Sequence, residues 1–165
     1  MKAKQIAESG ILVAATLVIL YAASIFPINK VSTLTIASCI IPISIIRNNI
    51  KNTMLVYIAS SLLSIFILPI NISIYYIFFF GIYGIIKFLI EKHNKLFFEI
   101  IMKLISFNIL ICLIYLITIN FLGELTLPFS IYLLFGVGQF IFLIYDYVLT
   151  IVISFYLNKI HTHIS

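Results

Sequence analysis

Charge is what this sequence has least of. Charged residues make up 9% of its 165 residues, and hydrophobic residues make up 64%. A soluble domain carries about 25% and about 45–50% respectively. A chain of this length forms one compact unit, and in water it has no means of hiding so much apolar surface. Lipid is itself apolar, so an integral membrane protein has no need to hide it. The composition excludes a soluble enzyme, a disordered tail, a coiled coil and a secreted disulfide scaffold.

Other absences narrow the chemistry. The only cysteines, Cys39 and Cys112, sit inside apolar runs with no Cys or His at metal spacing. They read as small buried hydrophobes. The histidines are His93, between two apolar runs, and His161 and His163 in the C-terminal tail. That leaves no Ser–His–Asp set, no H-E-x-x-H and no metal site. No G-x-x-x-x-G-K-[ST] loop occurs, so any ATP driving this protein binds to another subunit. No repeat or low-complexity tract divides the chain, and residues 1–165 read as a single transmembrane domain. The expectation is a non-enzyme without a cofactor. The net charge of +5 forms no basic stripe of the kind nucleic acid requires.

Six apolar stretches are present, over residues 11–28, 31–46, 53–70, 72–89, 97–121 and 128–157. About 20 residues cross the hydrocarbon as a helix. The second stretch is short and contains Pro42. The sixth is longer than a bilayer needs, so it either protrudes inward or begins with a break near Gly136 and Gly138. The many isoleucines favour strands in water. In lipid an open strand edge is forbidden, and nothing here alternates as a barrel strand must. The fold class is therefore all-α, with six transmembrane helices in one bundle.

The cations give the orientation. With the N-terminus in the cytoplasm, Lys2, Lys4, Arg47, Lys51, Lys87, Lys92, Lys95, Lys103 and Lys159 fall at or near the inner face, and Lys30 falls outside. This positive-inside bias places both termini in the cytoplasm of a multi-pass cell-membrane protein. Lys2 and Lys4 before an apolar run also resemble a signal peptide, with Ala22-Ala23-Ser24 as a cleavage site. Glu8 and the length of the run favour an uncleaved helix.

Polar groups inside the spans are the exceptions to explain. Asp146 is the clearest, because a charge at a helix centre costs about 2.5–3.5 kcal/mol on insertion. Gln139 and Thr150 share its helical face, flanked by Gly136 and Ser154. One reading makes Asp146 a ligand or coupling group. The other makes it half of a buried structural pair with Lys87 or Lys103. Lys103 stands four residues after Glu99, the spacing of a solvated ion pair. Asn108, Cys112 and Tyr115 share a face of the fifth span and, with Asn120 and Glu124, would line an outer pocket. The candidate ligand-binding residues are Asn108, Tyr115, Gln139 and Asp146. Tyr21, Tyr75, Tyr76 and Tyr132 read as interface anchors.

Small residues form a second pattern. Ala3, Ala7, Gly10, Ala14 and Ala22 make a flat stripe along the first helix, suited to internal packing or to another membrane subunit. Ser60, Ser61 and Ser64 in the third span suit close packing too. Gly81 and Gly84 thin the fourth, enough to admit a ligand or a neighbouring chain.

The opening Ile6 to Ala15, the short Pro42 helix before a basic turn, the Pro69 end of the third span and the final helix Tyr145 to Lys159 together resemble substrate-binding S components of energy-coupling factor (ECF) transporters. Within that group the YybS-like membrane proteins are the most similar. The resemblance covers nearly the whole chain. It implies a membrane subunit that binds a vitamin or other micronutrient, contacts a transmembrane coupling subunit through small residues of its first helix (here Ala7, Gly10 and Ala14), and relies on cytoplasmic ATPases. Two features depart from that group: Ala-x-x-x-Ala spacing occurs only at Ala3 and Ala7, and the outer loops are very short. The alternative is a non-transporting scaffold that assembles cell-envelope partners, since the chain is also similar in length and topology to the rod-shape MreD proteins, although it lacks their central Gly- and Asp-containing motif.

Overall fold

A computed structural model describes residues 3–26, 30–92, 95–122 and 131–164, with side chains described for all but 121–122, 131–135 and 159–164. The described residues are helical almost throughout and contain no strand. The helices are α1 (Ala3–Ile25), α2 (Lys30–Ile67), α3 (Ile70–Glu91), α4 (Leu96–Leu122) and α5 (Ile131–Ile164). All five are long and apolar enough to cross a membrane.

α2 has 38 residues, about 57 Å if straight and nearly twice the hydrocarbon thickness. It is not straight. Asn49 stands at φ 69°, ψ 158°, a region that only glycine enters without strain. Ser44 and Thr53, about 13 Å apart along a straight helix, have their hydroxyls 3.0 Å apart. The contacts with α3 agree. A Cβ on Gly81 would lie 2.8 Å from the Tyr57 ring, and one on Gly84 would lie 3.0 Å from both Ile41 and Pro42. Gly81 and Gly84 are separated by about 4.5 Å of helix, whereas Ile41 and Tyr57 would be about 24 Å apart on a straight α2. Both sites meet α3 at nearly one level because each lies eight residues from Asn49. The two arms of α2 therefore fold back beside each other. The expected break between the second and third spans is real, but it occupies one residue rather than a loop.

The glycines expected to admit a ligand or a neighbour admit α2. Serines hold the same seam. Ser60 and Tyr76 share a hydrogen bond at 2.8 Å, and Ser73 donates to the Ser64 carbonyl at 2.8 Å. Residues 76–81 of α3 form a π-turn, and Tyr57 donates to the Ile77 carbonyl within it at 2.7 Å. Tyr76 is fully buried, so it is not the interface anchor expected. Tyr21 and Tyr75 do lie at the surface, and the side chain of Tyr132 is outside the described residues.

Pro69 ends α2, as expected, and its carbonyl accepts from Ile72 and Ser73 at the start of α3. α5 is continuous through Gly136 and Gly138, without the anticipated break. α1 packs along α2, burying Thr16, Leu20 and Ala23. An aromatic core from α3, α4 and α5 fills the centre. Phe107 and Phe142 stack with centroids 4.4 Å apart, and Phe79, Tyr83 and Tyr145 close around them.

Candidate functional site

Helical spacing builds the first part of the site. Tyr83, Lys87 and Glu91 follow one another at four-residue steps, so they form one row on α3. Asp146 and Thr150 make the corresponding pair on α5. Lys103 comes from α4. Packing against the aromatic core brings the three faces together at the end of the bundle near the α3–α4 connection.

Lys87 is the hub and is 1% exposed. Its Nζ lies 2.6 Å from Asp146 Oδ1, 2.7 Å from Glu91 Oε1 and 2.8 Å from Thr150 Oγ1. Lys103 Nζ lies 2.7 Å from Glu91 Oε1 and 3.0 Å from Asp146 Oδ2. Tyr83 donates to Asp146 Oδ1 at 2.7 Å. Two cations and two anions cancel, and each charged group faces two opposite charges. A net charge here would be costly; a closed set of charge-assisted hydrogen bonds is the arrangement in which buried ions persist.

Of the two readings of Asp146, the buried pair is thus formed, and with both lysines rather than one. Lys103 turns to Glu91 and Asp146 instead of the solvated pair expected with Glu99. Glu91 and Tyr83 also belong to the site, two residues absent from the candidates above. The i, i+4, i+8 row of Tyr83, Lys87 and Glu91 was the available signal.

The other candidate ligand residues lie further along α4 and α5. Gln139 donates to Asn108 Oδ1 at 2.6 Å, between one and two turns from the charged cluster and towards the opposite end of the bundle. Tyr115 is partly exposed on the outside of α4, and Cys112 also faces out. The structure therefore joins Asn108 with Gln139 and separates both from Asp146. Glu124, His93, Lys2 and the side chains of His161, His163 and Lys159 lie outside the described residues. No metal-binding group of His, Cys, Asp and Glu occurs among the described residues.

Ala3, Ala7, Gly10 and Ala14 are all exposed, and a Cβ placed on Gly10 would meet no atom within 4 Å. These four face away from the bundle, Ala22 at the far end of the stripe is half-buried, and Thr16, Leu20 and Ala23 are buried on the side of α2.

No protein-family model matches this chain, and no curated protein or solved structure matches it.

Proposed function

We propose that this protein crosses the membrane six times with both ends in the cytoplasm. In this reading it serves as the substrate-binding subunit of an energy-coupling factor importer for a vitamin or other small micronutrient, without ATPase activity of its own. The fold of α2 supports the six crossings. Each arm has 18 or 19 residues about Asn49, or about 27–28 Å of helix, close to the hydrocarbon thickness. Arg47 and Lys51 flank the turn and suit its cytoplasmic side.

The observation that carries the functional reading is the outward stripe of α1. Lipid gives helices no hydrophobic drive to associate, so a flat face of small residues is how a membrane helix offers itself to another. Ala7, Gly10 and Ala14 would receive a coupling subunit there, with cytoplasmic ATPases beyond it. The charged cluster closes the inner half of the bundle, and Asn108 with Gln139 is the polar pair placed deeper towards the outer half, where a ligand would be held.

One observation favours the scaffold reading. Asn108 pairs with Gln139, and Asp146 pairs with both lysines, so each has its partner within the bundle. Native mass spectrometry of the protein released gently from its own membrane separates the two readings. The importer reading expects a stoichiometric small molecule or a coupling subunit with ATPases. A bare protein, or one carrying cell-envelope partners, overturns it in favour of the scaffold.

A further inference from the structure

The four ion pairs of the described residues are all made by Lys87 and Lys103. Lys92, at the end of α3, and Lys95, just before α4, are exposed and take no part in them. Immediately beside them a cleft of about 250 Å³ opens between α3 and α4, lined by Ile86, Leu89, Ile90, Phe98 and Met102. Leu89 and Phe98 are exposed, so the cleft faces outward. Its α3 wall runs over residues 86–90 and its α4 wall over residues 98–102, about 6 Å of helix from end to end in each case.

We propose that this cleft holds an acyl chain of an anionic membrane lipid, with the phosphate headgroup on Lys92 and Lys95. The wall chemistry is wholly apolar, as a hydrocarbon chain requires. The size argues against a protein partner, because a helix is about 10 Å across and the cleft is little more than one turn tall. The charge argues for an anionic lipid over a neutral one. Lys92 stands two positions after Ile90 and Lys95 three positions before Phe98, so both lysines belong to the end of the cleft nearest the α3–α4 connection, and their long stems suit the depth where a headgroup meets its chains. Glu91, next to Lys92, is already shared by Lys87 and Lys103, and Glu99, four residues after Lys95, is the next carboxylate in sequence, so the two lysines keep one excess positive charge. The inference rests on membrane embedding but not on transport.

The test uses the full chain in nanodiscs of equal phosphatidylglycerol and phosphatidylethanolamine, read by native mass spectrometry. The expected result is one phosphatidylglycerol retained at energies that strip phosphatidylethanolamine. Removing each lysine should weaken that preference roughly fivefold, so Lys92→Gln with Lys95→Gln should nearly abolish it. Met102→Trp, which fills the cleft, should shed the lipid whatever its headgroup. Both readouts come from folded protein in the spectrum, so misfolding does not imitate them. Equal retention of the two lipids, or unchanged phosphatidylglycerol binding in either variant, overturns the proposal and leaves the importer reading standing. Failure of the chain to enter nanodiscs overturns both.

Discussion

Lys87 and Asp146, fifty-nine residues apart, meet at 2.6 Å in the interior of the helical bundle, and this contact ties α3 to α5. Neither charge is tolerable there alone. Removing one partner of a buried ion pair leaves the other uncompensated, at about 3–5 kcal/mol. Asp146→Asn should therefore lower the thermal unfolding midpoint in detergent sharply, because Lys87 and Lys103 are left with Glu91 alone. Lys87→Met combined with Asp146→Leu keeps the remaining charges balanced and should recover much of the loss. A double variant as unstable as the sum of the singles would refute this account of the cluster.

Asn49 gives a prediction of opposite sign. Its backbone conformation costs a non-glycine residue on the order of 1–3 kcal/mol, while glycine adopts it freely at some cost in unfolded-chain entropy. Asn49→Gly should stabilise the protein by about 1 kcal/mol, and Asn49→Val should destabilise it. Thermal unfolding of the two variants side by side is the measurement. A straight α2 would reverse the order, since glycine weakens a helix interior by about 1 kcal/mol.

The turn also makes a topological prediction. In the six-crossing reading, a cysteine at Asn49, in a background lacking Cys39 and Cys112, should react with a membrane-impermeant maleimide only from the cytoplasmic side of inverted vesicles. Labelling from the opposite side, or none from either, would contradict the hairpin as a cytoplasmic turn.

Two glycines should respond differently to the same change. Gly84 lies against Ile41 and Pro42 at 3.0 Å, so Gly84→Leu overpacks the contact between α2 and α3 and should cost about 1–3 kcal/mol or more. Gly10 faces open space, so Gly10→Leu should shift stability by no more than about 0.5 kcal/mol. If α1 docks a coupling subunit, that variant should still lose the subunit on co-purification. Retained capture would move the docking face elsewhere.

Composition and apolar run length were enough to specify an all-helical chain of long apolar helices, because 64% hydrophobic residues suit lipid, where open strand edges are forbidden, and no stretch alternates as a closed barrel's strands must. The polar face around Asp146 was legible too, since residues at four-residue steps share a helix face whatever surrounds them. Local spacing has no access to contacts between helices. Glu99 was the carboxylate nearest Lys103 in the sequence, yet Lys103 meets Glu91 and Asp146, which only the packing of α3, α4 and α5 brings within 3.0 Å. Tyr76 read as a surface anchor until Ser60 on the folded-back arm of α2 buried it. The same limit hid the role of Gly81 and Gly84, whose close neighbours, Tyr57, Ile41 and Pro42, reach one level of α3 only because the chain reverses at Asn49. The sequence determined what each helix face is made of. Tertiary structure decided which faces meet, because pairing charges and filling gaps in the interior depend on distances that no separation along the chain sets.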